Sequence, residues 1–453
     1  MKKRRINFSL NETVHSLFSL MGHFSKSPKT KDILEGSTGT LNYHDGMAEV
    51  EMTPVITYPV GDDGAFLDVW NEEDAIIYGY LEDGTYVRFN SFSTTYDVNH
   101  APGFPVIRYK VSDLDFSKSE FKSDSHLTYD HVLVTYDSLN EFGAFVVPEL
   151  MKKEKSENPP FFIGGSEDFD VYLTYEWKQY GNRVNVSVKA QVELEIRIKR
   201  QNSKIDTFIK DFEAFLSVIN NSTINATSVR YVDKDNNVLR THLFVGPHTE
   251  RNGKTNYSYG IDSDLNIETY KDKLEKIIDF ILNKKNDQFD KLVQNYLYNI
   301  DDDLNLDSAL INYVNSIDIY MNGSTYSNGA EIQSLSSKII FWLKQIPESL
   351  CGLYFDKSKR NANDDKRDAF IKSLVDTRDY LTHFDKATSP YLISDLKNFF
   401  LLKYLLMLLF KASTFIPLFS IIFLMYSKTI KFSFNFSVNK KSIWAFSHSV
   451  TAF

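Results

Sequence analysis

From Val184 to Ile198 every second residue is apolar. Val184, Val186, Val188, Ala190, Val192, Leu194, Ile196 and Ile198 alternate with Asn, Ser, Lys, Gln, Glu and Arg. Period two over that length demands extended backbone, with one face dry and the other wet. After about Asn266 the period changes. Leu274, Ile277, Ile278, Ile281 and Leu282 fall on one stripe of a helix. Two periods in separate stretches predict an α+β multidomain protein. A β-rich N-terminal module is followed by an all-α helical bundle.

The other elements follow from the same reading. Short β-branched and aromatic runs predict strands at 40–52, 75–81, 85–92 and 131–136, with a second β region from 228 to 244. Ile205, Phe208, Ile209, Phe212, Phe215, Leu216 and Ile219 have helical spacing, so 203–219 is a predicted helix within this half. Residues 152–160 are charged, end in two prolines and predict an exposed loop. Helices are predicted at 270–282, 289–298, 306–321, 329–343, 365–384 and 393–410, and no internal repeat is visible. The predicted organisation is a β-rich module over 1–265 and a helical connector over 266–302. A helical domain over 303–410 and an atypical apolar tail over 411–453 complete it.

At 453 residues the chain is long for one domain, since domains run to about 100–200 residues. With 35 Phe and 26 Tyr it has ample material for buried cores. The net charge of −9 excludes a broad electrostatic footprint on nucleic acid, so any RNA site must be local. One cysteine, Cys351, excludes an internal disulfide and a cysteine zinc cluster, and fits a reducing cytoplasm. Asn7, Asn11 and Glu12 interrupt the apolar run that a signal peptide needs after the basic start. Residues 404–426 admit two readings. They are long enough to span a bilayer, but Lys411 and Pro417 favour a buried last helix ending near Phe410, then an apolar tail.

The chemistry concentrates in Arg378-Asp379-Tyr380-Leu381-Thr382-His383, late on a predicted helix whose earlier turns carry Phe370, Ile371, Leu374 and Val375. Five residues of α-helix separate two side chains by about 140° and about 7.5 Å of rise. One helix alone does not easily close both onto a small atom, whereas two such helices across a two-fold axis can. Histidine can take a proton from a ribose 2′-hydroxyl or return one to a leaving oxygen. Arginine forks onto phosphate oxygens where negative charge builds. Asp379 could orient either group, and Thr382 could bond phosphate or backbone. The residues alone equally admit a surface arginine paired with Asp376 or Asp379 beside a structural histidine. His44, His100, His126 and His131, near Asp45, Asp113, Asp124 and Asp130, read as surface residues. Asp301–Asp303 reads as a helix start.

Residues 374–385 closely resemble the catalytic helix of the Apea-like HEPN family: an arginine, a polar residue, three further positions, a histidine and a following aromatic. Residues 335–347 resemble the preceding helix, and 306–321 the first helix, with Asp318 at an acidic position. Leu34-Glu35-Gly36-Ser37-Thr38-Gly39-Thr40-Leu41 resembles an early strand of the family's N-terminal domain. The resemblance covers most of 20–410, and residues 411–453 depart from it. It implies a metal-independent, cofactor-free endoribonuclease of bacterial antiphage defence, abortive-infection type. Arg378 and His383 would be its catalytic pair, with Asp379 and Thr382 in support. It further implies a homodimer through the helical domain, and a sensor or regulatory role for the N-terminal module over 1–265, which would receive a phage-derived trigger. Two alternatives stay open at this point. One is a non-catalytic HEPN-like binding or dimerisation module, and the other a membrane-associated sensor anchored through 404–426.

Overall fold

The computed structural model describes residues 18–44, 47–53, 76–97, 106–121, 127–137, 139–140, 160–181, 186–200, 204–220, 223–244, 274–284, 287–298, 306–344, 346, 352, 354–356, 364–383, 402 and 405. The protein is α+β, with an antiparallel sheet followed by helices. It divides into two compact units, residues 1–213 with 224–257, and residues 214–223 with 258–453.

The sheet has twelve strands. These are β1 (Phe18–Ser25), β2 (Ser37–His44), β3 (Met47–Thr53), β4 (Ile77–Leu81), β5 (Tyr86–Asp97), β6 (Val106–Ser117), β7 (His131–Tyr136), β8 (Phe161–Gly165), β9 (Phe169–Gly181), β10 (Val186–Ile198), β11 (Ala226–Val232) and β12 (Val238–Phe244). The first six form a ring of antiparallel pairings, β1-β2-β3-β6-β5-β4 and back to β1, which is a closed barrel. The rest extend from it in the order β12-β11-β7-β10-β9-β8. β6 serves both parts. Ile107–Val111 pair with β3 to close the barrel, and Asp113–Ser117 pair with β12 to start the extension.

The barrel interior is apolar because alternate residues of each strand point inward. Phe18, Leu20, Phe24, Leu41, Tyr43, Val50, Met52, Val87, Phe89, Tyr109 and Phe116 fill it. Phe18 stacks on Tyr43 at 5.0 Å and Phe24 on Phe89 at 5.8 Å, ring to ring. Gly79 sits against this packing. A Cβ there would lie 2.6 Å from Phe24 Cδ1 and 2.7 Å from Val87 Cγ1. Both neighbours are fully buried, so Gly79→Ala is expected to cost about 1–3 kcal/mol by overpacking. A urea midpoint unchanged from wild type would refute this.

One face of the extension is dry. Val132, Val134, Val171, Leu173, Val192, Leu194, Ile196 and Val229 are buried there. Helix α2 (Lys204–Asn220), which follows a short α1 (Thr30–Leu34), lays Phe208 and Phe212 against this sheet. Phe208 meets Phe169 at 5.3 Å, Phe212 meets Tyr136 at 5.7 Å, and Tyr136 Oη donates to the Ile209 carbonyl at 3.0 Å.

The second unit contains α3 (Leu274–Asp279), which runs into a π-turn (Phe280–Lys284), then α4 (Asp287–Tyr298), α5 (Leu306–Tyr320), α6 (Leu335–Leu343) and α7 (Asp365–His383). α4 packs on α5, and α5, α6 and α7 pack on one another. Lys338 of α6 is buried and donates to the Asp318 carboxylate of α5 at 2.6 Å and to its backbone carbonyl at 3.1 Å.

Two predicted elements change. The strand at 40–52 is a hairpin of β2 and β3. The predicted β region 228–244 is present as a second hairpin, β11 to β12, turned at Asn236 with φ 63°. The helix predicted from Gly329 starts at Leu335, capped by Ser334. Gly329 has φ 81°, which no right-handed helix admits, and Thr325 and Glu331 form a bridge instead. Of the predicted helix 393–410 only Leu402 and Leu405 are described, and both are buried. The loop 152–160 lies outside the described residues except for Pro160, and the tail 411–453 lies outside them altogether. Residues 404–426 do so except for Leu405. Among the described residues no helix is long and apolar enough to cross a membrane.

Candidate functional site

Helix α7 carries every residue of the predicted site. Asp364 caps it: the buried carboxylate accepts from the backbone N–H groups of Arg367 and Asp356, each at 2.9 Å. Asp365 and Asp368 add negative charge to the first turn, where the helix dipole favours it. The inward face runs through Arg367, Phe370, Ile371, Leu374 and Thr377, all buried. That spacing holds α7 against α5 and α6 and fixes the rotation of its last two turns.

Arg378 lies on the flank of this face, with its side chain 29% exposed. Nη1 donates to Asp379 Oδ1 at 3.1 Å. Nε is sealed from solvent and has no hydrogen-bond partner among the described residues. A buried donor without an acceptor costs about 1–3 kcal/mol, so an acceptor brought to this guanidinium gains that much beyond its charge attraction. Asp379 therefore orients Arg378 from the next position while leaving most of the fork free of this contact. Thr382 Oγ1 donates to the Arg378 carbonyl at 2.7 Å, as Thr377 Oγ1 does to the Ser373 carbonyl. Of the two roles open to Thr382, its hydroxyl proton takes the backbone one. His383 closes α7, five residues past Arg378, and its side chain lies outside the described residues.

Two charged clusters in the sheet unit were not visible in the sequence. Asp115, fully buried on β6, gathers Arg88 of β5 and both Arg240 and His242 of β12. Arg230, on β11, forms a two-pronged ion pair with Glu193, on β10; both are buried. The partners in the first cluster lie 27, 125 and 127 residues away from Asp115 in the sequence. The one local signal was a pair of aspartates, Asp113 and Asp115, inside a run patterned as a strand. Of the β-region histidines, His131 is partly buried, and burial pushes its imidazole below the ordinary value. Among the described residues no group of three or more metal-binding side chains converges.

No family model matches the protein, and no solved structure matches it. Among curated proteins, the ferric-pyoverdine 358 receptor of Pseudomonas putida is 28% identical over an aligned 123 residues. The match takes in 23% of this chain and 14% of the receptor. The protein thus spans a small part of that relative's length, and the likeness assigns no family.

Proposed function

We propose that this protein is a metal-independent endoribonuclease effector of antiphage defence, with Arg378 and His383 acting on an RNA phosphodiester at a homodimer interface of a HEPN-type helical domain. The observation that carries the reading is Arg378 itself. Its Nε is buried and unpartnered among the described residues, Asp379 meets its charge at Nη1, and it lies five residues before a histidine on the same helix. The resemblance of 374–385 to the HEPN catalytic helix supplies the class of reaction.

In this reading Arg378 forks onto the non-bridging phosphate oxygens and stabilises charge in the transition state. His383 takes the proton from the ribose 2′-hydroxyl, whose oxygen attacks phosphorus. The bond to the 5′-oxygen breaks, that oxygen is protonated, and a 2′,3′-cyclic phosphate remains. Two copies bring two such pairs to one interface. The sheet unit would receive a phage-derived trigger, and the protein would act in the cytoplasm.

The test is induction of wild type beside Arg378→Ala and His383→Ala in bacterial cells, with and without infection. Total RNA is mapped for new ends bearing 2′,3′-cyclic phosphate. Wild type is expected to cut, and both variants, folded and dimeric, to lose the new ends. If all three give identical maps under both conditions, cleavage is refuted. Phosphate binding by Arg378 without chemistry is then the better reading.

A further inference from the structure

At the β8 end of the sheet, flat side chains stand side by side on four neighbouring strands. Phe162 of β8 is opposite Tyr172 of β9 and meets it edge to face, ring centres 5.4 Å apart. The Arg197 guanidinium, from β10, lies over the Tyr172 ring at 4.3 Å. Arg197 in turn is opposite His131 of β7. Strands lie about 4.8 Å apart, so the row spans about 15 Å. The same strands bury Val132, Leu173 and Ile196 on their dry face, and the flat groups occupy the other.

The row is open to solvent. Phe162 is 42% exposed and the Arg197 side chain 46%, while Tyr172 and His131 are part-buried. A single exposed phenylalanine is ordinary. A phenylalanine set against a tyrosine that itself carries a stacked guanidinium makes a continuous surface of planar groups. Charge on this face is balanced. Glu195 accepts from Arg197 Nε at 2.7 Å and holds the guanidinium in place, and Lys199 Nζ lies 2.7 Å from Asp170 Oδ1. Flatness rather than net charge is what the face offers, in keeping with a chain of net charge −9. Lys199 and Arg200 follow at the end of β10 with exposed side chains, and exposed ion pairs are weak enough to yield to a phosphate.

We propose that this face binds single-stranded nucleic acid, with successive unpaired bases stacking on Phe162, Tyr172 and Arg197. Every base has a π-face, so such stacking tolerates any sequence, whereas a duplex keeps those faces within its own stack. Lys199 and Arg200 serve the backbone phosphates. Ribose and deoxyribose strands carry the same stacking chemistry, and the assay separates them. The inference stands on the sheet unit alone and does not depend on cleavage by Arg378 and His383.

The experiment measures fluorescence anisotropy of labelled oligonucleotides with the full-length Arg378→Ala protein, a background that keeps RNA whole and removes that arginine as a binding site. The probes are a mixed-sequence single-stranded RNA, the same sequence as DNA, and the RNA annealed to its complement. Single strands are expected to bind and the duplex to bind far more weakly. Binding of one single strand without the other assigns the sugar. Phe162→Ala and Tyr172→Ala are each expected to weaken single-strand binding by about five- to a hundredfold. Phe162→Leu, apolar but not flat, is expected to behave like the alanine variant, and Phe162→Trp to keep the affinity. Urea midpoints check that each variant is folded; if Tyr172→Ala is not, the exposed Phe162 series decides. No binding of either single strand, equal binding of the duplex, or an affinity that the folded variants leave unchanged would each overturn the proposal.

Discussion

Asp115→Ala is expected to destabilise the sheet unit by about 3–5 kcal/mol, the range for breaking a buried ion pair from one side. The carboxylate is fully buried and saturated. Oδ2 accepts from Arg88 Nε at 2.9 Å and Nη2 at 2.6 Å and meets Arg240 Nη2 at 2.9 Å. Oδ1 accepts from Arg240 Nε at 3.0 Å and lies 3.0 Å from His242 Nδ1. Without it, two guanidiniums, each 14% exposed, lose the carboxylate that they share. The Phe121 ring lies 5.3 Å from the Arg88 guanidinium and 5.7 Å from that of Arg240, and a π-face does not replace a carboxylate.

The same carboxylate makes stability depend on pH. Burial by itself raises the Asp115 pKa. The hydrogen bonds and charges of His242 and Arg240 outweigh it and hold the carboxyl well below its ordinary value of 3.8. A depressed pKa stabilises the fold above the unfolded-state value, and the contribution is lost as pH falls toward the folded one. The stability gap between wild type and Asp115→Asn is therefore expected to be full near neutrality and to shrink below about pH 4. Chemical unfolding at several pH values measures it. A gap that stays constant into acid would show that the charge of Asp115 contributes nothing.

Arg230→Met alone is expected to cost about 3–5 kcal/mol as well, because it takes from buried Glu193 the guanidinium paired with it. Arg230 reaches from β11 across β7 to Glu193 on β10, and its Nη1 lies 3.5 Å from Glu176 on β9. One arginine thus spans four neighbouring strands. The informative variant is the double substitution, Arg230→Met with Glu193→Leu. Replacing both partners with apolar residues of similar volume removes the stranded charge, so the double variant is expected to be more stable than either single one. If the two single losses simply add, the residues are not coupled and the ion pair contributes nothing as a pair.

The parts legible in the sequence were those with a local cause. The alternation ending at Ile198 became β10, paired with β9 along thirteen positions from Val186↔Gly181 to Ile198↔Phe169. The helical spacing around Phe208 and Phe212 became α2, and the apolar turns before Arg378 became the buried face of α7. What was missed depends on distance. The pairing that closes the barrel joins Ala48 to Val111 and Met52 to Ile107, and no local pattern announces a partner that far along the sequence. Arg378 was singled out by its motif. The sealed position of its Nε is a matter of tertiary packing, which spacing alone does not reveal. The helix drawn from Gly329 failed because residues 330–334 lack strong breakers, while the two left-handed glycines favour a turn.

β6 has neighbours on both edges along nearly its whole length: β5 on one side, and β3 then β12 on the other. A strand held that way cannot fray by itself. Peeling the extension away exposes the backbone of the very strand that seals the barrel, and opening the barrel unzips the strand from which the extension grows. The two halves of the sheet therefore share one fate. They melt together as a single cooperative block, and damage at the rim of either is felt at the seam between them.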